Sequence, residues 1–186
     1  MRVIAGEAKG HRLKFVRSAR LRPTSDKVKG AIFSALSSLR VDWSRVLDLY
    51  AGTGSLGIEA LSRGAEYADF VEKDVKFCSI IKENLTHTKM AERSHVYCSP
   101  VEKALSFLEG EYTLILLDPP YNDPATGDVL RTLSGSHMTG LNSTIVAEHG
   151  GQKSLSEEYG DFSKIKTIHH GDTTVAIYQH VKGGTS

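Results

Sequence analysis

Val46-Leu47-Asp48-Leu49-Tyr50-Ala51-Gly52-Thr53-Gly54-Ser55-Leu56-Gly57 is the stretch that decides the fold. Residues 46–50 form a short apolar run and read as a buried strand. The run passes into Gly52-x-Gly54-x-x-Gly57 and then into a helix reaching about Arg63. A strand, a glycine-rich turn and a helix, in that order, open a βαβ unit whose turn faces a ligand. Glycines at those positions allow the tight turn and close backbone approach, so Gly52, Thr53, Gly54 and Gly57 are candidate cofactor-binding residues.

Reading outward, the same alternation repeats. Residues 67–72 read as a strand, 74–89 as a helix with Cys78, Ile81 and Leu85 on one face, and 94–98 as a strand. Then come a helix at 100–109, a strand at 112–117, a helix at about 124–134 and a strand at 143–148. Two strands at about 161–169 and 172–180 flank Gly171-Asp172 as an antiparallel hairpin. Upstream, Val28, Ile32, Ala35, Leu36 and Leu39 recur at helical spacing, so 25–39 is an amphipathic helix capped by Thr24 or Ser25. Gly30 inside it costs about 1 kcal/mol relative to Ala, which suggests close approach of another group. The pattern specifies an α/β class, a doubly wound and mostly parallel Rossmann-like sheet with one antiparallel strand.

At 186 residues, with 40% hydrophobic and 24% charged, the chain reads as one ordinary globular domain. No run approaches a membrane span, and Met1-Arg2-Val3-Ile4-Ala5-Gly6 lacks the apolar core of a signal peptide. Cys78 and Cys98 are the only cysteines, which reads as a cytoplasmic protein with two buried thiols. The scattered histidines form no metal-binding pattern, so no metal is expected, and His169-His170 reads as surface. Glu148-His149 reads as an ordinary strand end, with a place in the wall of a base pocket as the alternative. Residues 1–29 carry +7 locally and the remainder −6, so a basic arm on an acidic domain points to a polyanionic partner. Arg-Val-Ile-Ala (2–5) and Arg-Leu-Lys-Phe-Val (12–16) read as a basic hairpin turning at Gly6–Gly10. Residues 1–24 are thus an expected RNA-binding extension, 25–182 the main domain and 183–186 a disordered tail. Arg2, Lys9, Arg12, Lys14, Arg20 and Arg22 are the candidate phosphate contacts.

Glu72 ends the second strand, where an acid binds the two hydroxyls of an adenosine ribose. Asp48 stands four residues before Gly52. A carboxylate there repels a pyrophosphate and suits the ammonium or sulfonium of S-adenosylmethionine. The strand at 112–117 ends in Asp118-Pro119-Pro120-Tyr121. Prolines stiffen the loop and remove N–H donors, leaving a carboxylate, carbonyls and an aromatic face. That set suits alkylation of an amine on a planar ring. Asp118 and the Pro119 carbonyl grip the two N–H groups and draw the nitrogen toward tetrahedral geometry, while Tyr121 stacks on the base.

Asp48-Leu-Tyr-Ala-Gly-Thr-Gly54, Glu72 and Asp118-Pro-Pro-Tyr121 resemble the motifs of amino-methyltransferases acting on nucleic acid bases. Arg2-Val-Ile-Ala-Gly6, Lys9-Gly10, Arg22-Pro-Thr-Ser-Asp-Lys-Val28 with Phe33, and Gly57-Ile-Glu-Ala-Leu-Ser-Arg-Gly64 resemble the RsmD family in particular. The resemblance implies the seven-stranded class I methyltransferase fold and S-adenosylmethionine as cofactor. It also implies methylation of a guanine N2 in 16S ribosomal RNA, free or in the small subunit, by a cytoplasmic monomer. Thr24, in the Arg-Pro-Thr block, joins the cofactor-binding residues. The family usually has Glu at the position of Gly30. Where it has an Asn-Asp-Ala-like turn touching the adenine, this chain has Cys98-Ser99-Pro100, leaving a main-chain N–H or the Ser99 hydroxyl for that contact. The same loop chemistry also fits adenine-N6 or protein-glutamine methylation. An inert RNA-binding assembly factor would share the fold without needing Asp48, Glu72 and Asp118.

Overall fold

The computed structural model describes residues 1–15, 25–120, 123–150 and 154–180. At its centre is β1 (Arg45–Leu49), whose residues 46–49 are fully enclosed. It pairs in parallel with β2 (Tyr67–Glu72) on one side and β4 (Leu114–Leu117) on the other. Beyond β2 lies β3 (Ser94–Cys98), and beyond β4 lies β5 (Thr144–Gly150). The C-terminal hairpin, β7 (Phe162–His170) and β8 (Thr173–His180), adds β8 antiparallel to β5 and β7 outside it. With β6 (Glu158–Tyr159) beyond β7, the order is β3-β2-β1-β4-β5-β8-β7-β6.

Side chains alternate across the strands and build two cores. Val46, Phe70, Leu114, Leu116 and Val146 face one layer, formed by α1 (Asp26–Ser38), α2 (Ser55–Ser62) and α3 (Val75–His87). Leu47, Leu49, Val71, Ile115, Leu117 and Ile145 face the other, under α4 (Val101–Ala104) and α5 (Thr126–Ser134). Burial on both faces explains why the strands read as continuous apolar runs. Each enclosed Leu or Ile contributes about 1.5–3 kcal/mol.

Several expectations are corrected. Among the described residues the sheet has eight strands, because Gly160 (φ +54°) turns the chain after the two-residue β6 (Glu158–Tyr159), too short to show a period. The helix expected over 100–109 stops at Ala104, where the chain tightens into i→i−3 bonds at Ser106 and Phe107. Cys98 is exposed, because β3 is an edge strand; only Cys78 is buried, and burial pushes its thiol up to about 12. Gly30 meets no close group, since a Cβ there would be 4.0 Å from Ile4. Ser25 caps α1, its side chain accepting from the Val28 N–H. Thr24, Arg20, Arg22, Tyr121 and the tail 183–186 lie outside the described residues.

The N-terminal hairpin is held by a single bridge, Arg2 to Arg12, with backbone bonds Val3 to His11 and Leu13 to Met1. It lies along α2. Val3, Ala8 and Leu13 are buried against the core. Glu59 of α2 accepts from the N–H groups of Ile4 (2.8 Å) and Ala5 (3.1 Å). Lys29 is buried beside it, 3.5 Å from Glu59, donating to the Arg2 carbonyl and the Ser55 hydroxyl. Lys29, counted in the basic stretch by sequence, is therefore an internal cation.

Candidate active site

The carboxyl ends of β1, β2, β4 and β5 open into one cavity of about 730 Å³. This is where a doubly wound sheet places a ligand. Its wall brings together Asp48, Gly52, Thr53, Glu72, Asp118, Pro119 and Pro120 from the sequence reading. Residues that the sequence reading did not place at this cavity also line it: Tyr50, Phe77, Glu102 and His170. Glu148-His149, read as a strand end with a pocket wall as the alternative, are part of the wall as well. Phe77 was detectable in principle, as an aromatic in the first turn of an amphipathic helix following an acidic strand end.

Asp48 is 1% exposed, and its Oδ2 accepts from the Gly57 N–H at 2.8 Å. Glu72 accepts from Gly52 N–H (2.9 Å) and Asp74 N–H (2.9 Å). The two carboxylates thus fix the glycine turn from either side. Burial holds the Asp48 pKa well above the carboxylate range; the Gly57 bond opposes this, and the charges of Asp118 and Glu72 add to it. Among the described residues, seven carboxylates border the cavity against one lysine, Lys73, and a sulfonium or ammonium group suits that imbalance.

Two of the expected glycines act from behind the wall. A Cβ on Gly57 would be 2.4 Å from the Phe70 ring, and one on Gly54 (φ +79°) 3.2 Å from Ile81. They permit helix–sheet packing and do not border the cavity. Ser99 does not line it either: its N–H donates to the Glu72 carbonyl and its hydroxyl to the Pro100 carbonyl. Phe77, Val101 and Glu102 border the cavity there instead.

Tyr50 follows β1 with φ +59°, a left-handed conformation rare for a non-glycine residue. Its hydroxyl is the one buried side-chain polar atom without a hydrogen-bond partner among the described residues. Burial raises its pKa, and Glu102 and Asp123 raise it further. After β4 the chain is closed by Asp123 N–H donating to the Pro120 carbonyl at 2.9 Å. Asp118 is itself tied to the end of β1, its N–H donating to the Leu49 carbonyl at 3.4 Å.

Of the basic residues, Arg2, Lys9, Arg12 and Lys14 are exposed. Arg2 reaches Asp26 at 3.5 Å and Lys14 pairs with Glu83. Met1 lines the cavity, so the open end of the hairpin lies beside it. The turn carrying Lys9 lies at the other end of α2, where Glu7 N–H bonds the Ser62 carbonyl. Over the eight residues of α2 that is about 12 Å from the cavity end.

The sheet order and this ligand cavity define a class I methyltransferase. Escherichia coli yhhF superposes with a TM-score of 0.83 at 27% identity over 97% of both chains. An RNA methyltransferase from Salinibacter ruber, solved with S-adenosyl-L-homocysteine, shares the fold with a TM-score of 0.64 at 20% identity, over 86% of this chain and 94% of that one. The chain belongs to the family described as conserved hypothetical protein 95, which matches residues 1–179 and includes ribosomal RNA small subunit methyltransferase D. The Haemophilus influenzae protein of that name is 31% identical over 186 residues, 97% of this chain and 94% of its own. Bacillus subtilis YlbH, named as a candidate rRNA methyltransferase, is 40% identical over 182 residues, 96% of this chain and 98% of its own.

Proposed function

We propose that this protein methylates the exocyclic N2 amine of a guanine in small-subunit (16S) ribosomal RNA, using S-adenosylmethionine. The observation that carries the reading is that Asp118 and Pro119 open into the same cavity as Asp48 and Glu72. An amine-gripping loop and a cation-seeking cofactor wall therefore face one space. S-adenosylmethionine supplies an electrophilic methyl group there. Glu72 takes the ribose hydroxyls, and Asp48, with the turn at Gly52 and Thr53, takes the positively charged methionine end. Gly54 and Gly57 shape that turn from behind.

Asp118 and the Pro119 carbonyl each accept one hydrogen of the target amine, which aims its lone pair at the cavity interior. Pro120 stiffens the loop, and Tyr121 stacks on the base. Once alkylated, the amine is acidic and releases a proton to Asp118 or water. Arg2, Arg12 and Lys14, at the open end of the hairpin, hold phosphates, and Arg20 and Arg22 are further phosphate contacts of this reading. The base must leave its stack to reach the loop. The protein acts as a monomer in the cytoplasm, where its RNA is.

The test is incubation of the protein and tritiated S-adenosylmethionine with small ribosomal particles and with deproteinised RNA, followed by nucleoside analysis. Label in N2-methylguanosine is the expected result. Label in N6-methyladenosine would transfer the reading to adenine, and no label on either substrate would overturn it.

A further inference from the structure

Four neighbouring strands present a carboxylate at the cavity: Glu72 on β2, Asp48 on β1, Asp118 just past β4 and Glu148 on β5. The proposed function, on which this inference rests, uses the first three. Leu117 of β4 pairs with Ala147 of β5, so the next register step sets Asp118 beside Glu148. Leu116 and Val146, two residues earlier on each strand, share one core layer, and so does Val175, the partner of Glu148 on β8. With a period of two, Asp118 and Glu148 therefore stand on the same face of the sheet, on strands about 4.8 Å apart. The cavity runs past them to His149, Gly150, His170 and Thr173, on the side away from Glu72.

We infer that Glu148 reads the Watson–Crick edge of the target base by accepting the guanine N1–H. Guanine presents N1–H and the N2 amine side by side, as adjacent donors. An ionised carboxylate offers only acceptors. Asp118 and the Pro119 carbonyl take the two hydrogens of N2, and the neighbouring strand brings a further acceptor to N1. Adenine carries an acceptor at N1, so a carboxylate there both matches guanine and opposes adenine. Glu148 is thus a specificity residue of the transfer, and the loop after β4 supplies the chemistry.

The test compares single-turnover methyl transfer to a small-subunit RNA carrying guanine or 2-aminopurine at the methylated position. 2-Aminopurine keeps the amine but has an acceptor at N1. Wild type should favour guanine. Glu148→Gln, which can donate to N1, should narrow the guanine-to-2-aminopurine ratio by about 10-fold or more. Glu148→Ala should slow guanine transfer by about 10- to 100-fold, with S-adenosylhomocysteine affinity unchanged. A purely structural role would lower both substrates together. An unchanged ratio in Glu148→Gln, or a wild-type guanine rate in Glu148→Ala, would overturn the assignment while the parent reading stands. A wild-type protein that leaves guanine unmethylated would overturn both.

Discussion

Asp48 has its pKa raised by burial, against the opposing Gly57 bond, and raised further by the charges of Asp118 and Glu72. Its folded pKa lies above the unfolded value, so the stability it contributes is full below the unfolded carboxylate range and is lost as pH rises toward the folded value. Asp48→Asn keeps an acceptor for the Gly57 N–H and removes that loss. Thermal melting should therefore show the variant gaining on wild type as pH rises above the unfolded carboxylate range. A cation in the cavity lowers the same pKa, so cofactor binding should release protons. Calorimetry in buffers of different ionisation enthalpy should detect this in wild type and less of it in Asp48→Asn. In the proposed transfer Asp118 acts on the amine only as its nitrogen pyramidalises, so Asp118→Ala should lower single-turnover transfer by about 100- to 1,000-fold and leave cofactor affinity intact. More than about a tenth of the wild-type rate would end that role. At this scale the sequence exposed Asp48, Glu72 and Asp118, because a carboxylate at a buried strand end has few other uses. It hid Tyr50 and Glu102, whose relevance comes from strands and helices that meet only in the fold, and it left Glu148 between a plain strand end and a pocket wall. Ser99 stands outside the cavity wall, its hydroxyl donating to the neighbouring Pro100 carbonyl.

The basic hairpin is an element that sequence composition described as an extension and the fold uses as packing. Its charges were legible; its buried side, Val3, Ala8 and Leu13, was not, because three isolated apolar residues make no period. What ties it down is Glu59, which meets two backbone N–H groups, Arg63 and the buried Lys29. Glu59→Ala leaves an internal cation unpaired and should cost about 3–5 kcal/mol in chemical denaturation. The hairpin's exposed charges should separate by position. Arg12→Ala with Lys14→Ala should weaken RNA binding and flatten its salt dependence by roughly one unit of slope per lost phosphate contact. Lys9→Ala, at the far end of α2, should leave that slope unchanged. Titrations of RNA over a range of salt check both.

For the whole molecule, the alternation of strands and helices was readable because each strand is apolar on both faces and each helix has its own period. The order in which the last hairpin joins was not readable: Thr173–His180 has no local feature that marks it as an inner strand, and only pairing with Thr144–Gly150 puts it there. That order has a consequence in time. As the chain leaves the ribosome, β5 is complete about twenty residues before β8 exists, and until then its whole outer edge is an unpaired template. The wall of the cavity at Thr173 is missing for the same interval. A chain stopped at Gly171 should therefore go to the insoluble fraction on expression, and a peptide spanning residues 173–180, supplied in trans during refolding, should recover soluble protein. Methyl transfer would then begin only when the final strand is made, so a truncated message yields no partly active enzyme.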